Sequence, residues 1–146
     1  MNKEQKEMTK VLDETVEFYS KNFNKRGLDP EGICVYRDGE KRCAIGRLLS
    51  EKDLDIIEVC RHIGMGVPAL LCGHLVEQLT SPILKMPEHF LTALQRLHDG
   101  NEFWSEEGIT ETGQNMVKGI KQAIDDNSYK VWDHVKTLAK DCLIYK

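Results

Sequence analysis

Arg37, Lys41, Arg42 and Arg47 crowd one short stretch of the 146-residue chain, with Asp38 and Glu40 as the acidic residues among them. Guanidinium groups grip phosphate or carboxylate oxygens in pairs, and aromatic rings such as Tyr36 and Trp104 can stack on a base. Arg47, Tyr36, Arg37, Lys41 and Trp104 are therefore the candidate binding residues, and a small anionic, nucleotide-like molecule is the ligand they suit. The competing reading is a solvated strand face carrying an Arg37–Glu40 cross-strand pair. Arg47 resists that reading. It follows Gly46 and is flanked by Ile45, Leu48 and Leu49, where an arginine is expected either to be tethered to a carboxylate or to be used on an anion.

Other reactive side chains form weaker patterns. Cys34 and Cys43 read as small buried hydrophobes, the usual habit of free cysteine. A disulfide between them is disfavoured where thiols stay reduced. Zinc would need more ligands, and Cys60, Cys72, His62 and His74 stand at unremarkable spacings with no C-x-x-C. His98-Asp99 invites comparison with the all-helical His-Asp metal-dependent phosphohydrolases, and His62 or His74 with Asp133 could complete such a metal set. So loose a pattern arises by chance in a chain with five histidines, and the alternative puts His98 on the apolar stripe of its helix. A nucleophilic pair of Cys43 or Cys34 with His98 would need an exposed thiol. There is no Walker A pattern, no Gly-x-Ser-x-Gly and no His-Glu-x-x-His, and Gly64-Met65-Gly66 lacks the third glycine of a dinucleotide fingerprint. No catalytic residue, metal ligand or cofactor is nominated, and the chain reads as a binding protein more than an enzyme.

The elements that must hold these residues follow from periodicity. Met8, Val11, Leu12, Thr15, Phe18, Tyr19 and Phe23 form one apolar stripe and predict a helix over 4–23. The period then becomes two. Strands are expected near 33–37 and 40–45 with Asp38-Gly39 as a type I′ turn. That register sets Arg37 opposite Glu40, Tyr36 opposite Lys41, Val35 opposite Arg42 and Cys34 opposite Cys43. Tyr36, Cys34, Cys43 and Ile45 then share a buried face, and Arg37, Glu40, Val35 and Arg42 a wet one.

Ser50-Glu51-Lys52-Asp53 resembles a capping box opening a helix with Leu54, Ile56, Ile57, Cys60 and Ile63. Pro68 starts another, with Leu71, Cys72, Leu75, Val76 and Leu79, and Pro87 a third, with Phe90, Leu91, Leu94, Leu97 and His98, closed by Gly100. Thr110 caps a helix with Met116, Val117, Ile120, Ala123 and Ile124, and Ser128 caps a last one with Val131, Trp132, Val135, Leu138, Ala139 and Cys142. The expected fold is mainly α with one β-hairpin (α+β): about six helices packed on a two-stranded antiparallel hairpin, in a single domain over 1–146.

Composition bounds the partners. A net charge of −4 argues against general DNA binding, which needs a basic field. No apolar run reaches the ~20 residues of a membrane span, and the charged N-terminus lacks a signal peptide. A cytoplasmic protein with its five cysteines reduced is expected. A homodimer is a reasonable expectation, twofold dimers being the commonest oligomers.

Two segments carry a family resemblance. Cys34-Val35-Tyr36-Arg37-Asp38-Gly39-Glu40-Lys41-Arg42-Cys43-Ala44-Ile45-Gly46-Arg47-Leu48-Leu49 and Leu94-Gln95-Arg96-Leu97-His98-Asp99 together resemble a group of small uncharacterised proteins from tailed phages and bacteria. The likeness covers roughly the middle half of the chain. Where relatives continue with a Leu-Ile-Pro-Asp-like segment, this chain has Leu48-Leu49-Ser50-Glu51. The group transfers no catalytic residues. The resemblance implies a phage accessory protein acting on host physiology or host defence, for which nucleotide sequestration, an inhibitor or adaptor role on a host protein, and a His98/Asp99 phosphohydrolase are the three readings.

Overall fold

A computed structural model describes residues 1–28, 35–59, 66–71 and 76–131. Five α-helices lie among them: α1 Lys3–Lys21, α2 Glu51–Val59, α3 Val67–Leu71, α4 Glu88–Asp99 and α5 Glu111–Asp125. Two short antiparallel hairpins join them, β1 Arg37–Asp38 with β2 Lys41–Arg42, and β3 Trp104–Ser105 with β4 Gly108–Ile109. The mainly helical, hairpin-bearing architecture is the one the sequence implies. No helix among the described residues is long and apolar enough to cross a membrane.

Local chemistry sets the helix ends. Asn2 and Gln5 form a reciprocal capping box at the start of α1, the Gln5 amide N–H donating to Asn2 Oδ1 at 2.9 Å and the Asn2 N–H to Gln5 Oε1 at 2.8 Å. The Gln5 side chain also donates to the Ile124 carbonyl at 2.9 Å, which ties α1 to α5. α1 stops two residues before the expected end, because the Asn22 side chain bonds back to the Phe18 carbonyl and Phe23–Lys25 tightens into a 3₁₀ turn. Pro87 precedes α4 and Gly100 closes it, and the Thr110 hydroxyl caps α5 by accepting the Gly113 N–H. Asn127 in the left-handed region ends α5, and residues 128–131 begin the next helical turn. The rest of the expected last helix, from Trp132 on, lies outside the described residues.

α4 runs through the core. Phe90, Leu91, Leu94, Leu97 and His98 are fully buried on one stripe, its apolar members in the same core cluster as Tyr19 and Leu12 of α1, Leu70 of α3 and Ile124 of α5. Burial of such side chains contributes about 1.5–3 kcal/mol each, so this stripe anchors the fold.

The first hairpin departs from expectation by one residue at its turn. Arg37 pairs with Arg42 and Asp38 with Lys41, so the two-residue turn is Gly39-Glu40, not Asp38-Gly39. Gly39 has φ +61°, while Asp38 and Glu40 are not among the positive-φ residues. That matches a type II′ turn, which needs one left-handed residue, where type I′ would force Asp38 there as well. Moving the turn by one residue moves each cross-strand partner by two. Since side chains alternate with period two, every residue keeps its face. Tyr36, Cys43 and Ile45 are accordingly buried, as the expected inner face required, and Arg37 and Arg42 share the other side. Cys34 lies outside the described residues, and so does its expected pairing with Cys43.

The second strand is also shorter than expected. Cys43 to Ile45 turn away from β2 and Gly46–Leu48 closes a 3₁₀ turn. Gly46 is required here, because a Cβ at this position would collide with the Tyr36 carbonyl.

Candidate functional site

The five candidate residues do not converge. Tyr36 and Trp104 are buried, at 2% and 4% exposure, and the Trp104 indole N–H donates to the Leu97 carbonyl at 2.7 Å while its ring meets Tyr19 edge-on. Both aromatics pack in the core and present no stacking face to solvent. Lys41 is exposed at the hairpin tip.

Arg37 is fully engaged, and not with Glu40. Its Nε and Nη2 clasp the Glu58 carboxylate at 2.7 and 2.6 Å, Nη2 also meets Asp55 at 2.7 Å, and Nη1 reaches Glu51 at 2.8 Å. Glu51, Asp55 and Glu58 lie at i, i+4 and i+7 on one face of α2, so the helix presents a ready carboxylate cradle. Hydrogen bonds to Glu58, then to Asp55, hold the guanidinium well above the ordinary arginine value, and Arg37 in turn lowers the Glu58 carboxyl. The adjacent Arg42 faces Arg37 across the strands, a like-charge pair that is unfavourable alone. Glu51 bridges the two, and Arg42 also donates to the Gly39 and Lys41 carbonyls. This cluster fastens the hairpin to α2.

Arg47 is placed otherwise. It lies over α1, with its guanidinium 5.3 Å from the centre of the Phe18 ring and Nη2 donating to the Thr15 hydroxyl at 3.1 Å. No carboxylate among the described residues is within ion-pair distance of it, and its buried Nε has no acceptor. Beside it opens a pocket of about 300 Å³ lined by Glu14, Glu17, Phe18, Lys21, Asn22 and Arg47. Glu17 is held by Lys21 at 2.9 Å, whereas Glu14 meets Lys10 only at 3.9 Å, and Arg47 is the cation of this pocket without a carboxylate at ion-pair distance among the described residues.

His98 and Asp99 form a different kind of centre. His98 is fully buried; Nε2 accepts the Gly27 N–H at 3.1 Å and Nδ1 lies 2.7 Å from Asp99 Oδ1. Burial pulls the imidazole below its ordinary pKa, against the opposing pull of Asp99. A neutral ring donating from Nδ1 and accepting at Nε2 satisfies both contacts. No ring lone pair is left to bind a metal. No group of three His, Cys, Asp or Glu among the described residues is placed to hold one, and His62, His74 and Asp133 lie outside those residues.

Sequence reasoning missed Arg26, which is 6% exposed and donates from Nε and Nη2 to the His98 carbonyl at 2.9 and 2.6 Å. It stands in a Lys-Arg-Gly helix stop, and nothing local marks it as buried. Phe18, the ring under Arg47, was legible only as one member of the apolar stripe of α1.

No family model matches the chain, and neither does any curated protein or solved structure.

Proposed function

We propose that the protein is a non-catalytic binding module that captures a small anionic, nucleotide-like ligand, with Arg47 as the group that meets the anion. One observation carries the reading: of the three arginines around the first hairpin, Arg47 is the one without a carboxylate among the described residues, set over Phe18 at the edge of a pocket. Guanidinium over an aromatic ring offers donors and a stacking surface together, which suits a phosphorylated base. Arg37 takes no part in capture, because its donors are already spent on Glu58, Asp55 and Glu51. The hydrolase reading has less support, since His98 is buried with both ring nitrogens engaged. In the phage setting that the sequence resembles, sequestering such a ligand would blunt a host signal.

The test is a thermal-shift screen of nucleoside mono-, di- and triphosphates, followed by calorimetric titration of any that stabilise the fold. Arg47→Ala is expected to keep the fold and to cost about 1.5–3 kcal/mol of affinity, the range for hydrogen bonds to charged groups. Arg42→Ala is expected to cost much less, its donors being directed at carbonyls and Glu51. Unchanged affinity in Arg47→Ala removes this site, and an empty screen at millimolar ligand removes the hypothesis.

A further inference from the structure

A second concavity lies nearer the start of α1 and shares Glu14 with the first. It is a groove of about 720 Å³ between α1 and the 3₁₀ turn Pro82–Lys85, floored by Val11, Leu48, Ile83 and Met86. Lys3, Glu7, Lys10 and Glu14 form the exposed α1 rim of this groove, with half-buried Glu4, held by Lys130 at 3.5 Å, beside them and Lys85 on the facing wall. Their spacing of four, three and four residues keeps them on one side of the helix, over a rise of roughly 17 Å.

The order of signs along that rim is the informative feature. It alternates, Lys-Glu-Lys-Glu, and the midpoint of Lys3 and Glu14 is also the midpoint of Glu7 and Lys10. A twofold axis through that point reverses the rim onto itself with every sign exchanged. Two antiparallel copies of α1 would then set Lys3 against Glu14 of the partner subunit, and Glu7 against Lys10 of the partner subunit. An isologous interface demands this kind of self-complementarity, because residue i must suit residue j in both directions. A parallel arrangement in register would instead place like charges together. The intrahelical pairing available to the rim is weak: Lys10 and Glu14 are 3.9 Å apart and stand in the less favourable order, cation before anion.

We infer that this groove is the site where a second copy of the chain docks, the two α1 helices lying antiparallel across a twofold axis. The apolar floor supplies the association, and the rim supplies its register. Exposed ion pairs contribute little stability, but wrong pairings are penalised, so the charges act on orientation.

Sedimentation velocity tests this with two complementary double variants of the full chain, Lys3→Glu with Lys10→Glu and Glu7→Lys with Glu14→Lys. Wild type is expected to dimerise with rising concentration, more weakly at high salt. Each double variant alone should dimerise at least about tenfold more weakly, since its rims then carry one sign. An equimolar mixture should recover a heterodimer. Circular dichroism of each variant separates this effect from loss of fold, and single Glu14→Lys serves as the milder version should a double variant misfold. A wild type that stays monomeric up to about 1 mM overturns the inference. So does a dimer whose strength the double variants leave unchanged.

Discussion

Nε2 of His98 accepts the backbone N–H of Gly27 at 3.1 Å, so an imidazole on α4 holds the chain just beyond α1. The same N–H reaches the Arg42 carbonyl at 2.9 Å, and Tyr19 Oη donates to that carbonyl at 2.6 Å. His98 thus stands where α1, α4 and β2 meet. Replacing it with alanine leaves a cavity and strips the Gly27 N–H and Asp99 of a partner. A loss of about 3 kcal/mol is expected in denaturant unfolding.

The same contact gives a pH dependence of defined sign. Burial holds the folded-state pKa of His98 below 6.5, so the unfolded chain binds the proton more readily. Stability contributed by the neutral ring is therefore complete above about pH 6.5 and declines as pH falls from there toward the folded-state value. Unfolding free energies of wild type and His98→Ala between about pH 7 and pH 5 should converge as the pH drops. A constant gap would mean that the ring does not titrate in this window.

Asp53 predicts a second, more acidic loss. Its carboxylate is fully buried and accepts the Thr80 and Ser81 amide N–H groups and the Ser81 hydroxyl. Ser81 Oγ in turn accepts the Ser50 N–H, so the capping box of α2 closes through a residue of another segment. Burial raises the carboxyl, and these hydrogen bonds outweigh it, leaving the pKa below 3.8. Its contribution is present above that value and is lost as pH falls through the folded-state pKa. Asp53→Ala is expected to cost about 3 kcal/mol or more at neutral pH, by leaving several buried donors without an acceptor. Chemical unfolding measures it.

The helices were legible and the strands only partly so, for a physical reason. α1, α4 and α5 each carry an apolar stripe over three or more turns, with capping residues at the ends. Asp38-Gly39-Glu40 admits two turns that differ by one residue, Asp-Gly being a favoured type I′ pair, yet the chain adopts the one with Gly39-Glu40 at the tip. The hairpin of β3 and β4 has two residues per strand, too few to show alternation. Arg47 could be singled out from its apolar neighbours. Its seat on Thr15 and Phe18 could not, because those contacts form between distant segments. Tyr36 and Trp104 have the right chemistry for stacking, but packing decided their burial.

Two glycines should respond oppositely to alanine. Gly119 is exposed inside α5 with open space around its Cβ position, so Gly119→Ala is expected to stabilise by about 0.5–1 kcal/mol. Gly46→Ala drives a methyl group into the Tyr36 carbonyl and should cost about 1–3 kcal/mol or more. Melting curves measure both effects, and the Gly46→Ala curve checks the placement of the 3₁₀ turn that carries Arg47.

Arg37 and Arg47 offer the sharpest contrast between an arginine clasped by carboxylates and one with none among the described residues. Arg37→Met removes the cation that holds Glu51, Asp55 and Glu58 together, leaving three like charges on one face of α2. Because Glu51 and Asp55 are largely exposed and Glu58 is half-buried, solvent screening limits the penalty to about 1 kcal/mol, and added salt should reduce it further. Arg47→Met behaves differently. The thioether keeps an apolar stem against Phe18, and the substitution deletes a buried Nε that has no acceptor. The fold should therefore be unchanged or stabilised by up to about 1 kcal/mol. A residue whose removal relieves the fold is retained for another reason, which is the pattern expected of a binding group. A Tm drop in Arg47→Met as large as that in Arg37→Met would make Arg47 a structural residue, and the pocket beside it would lose its anchor.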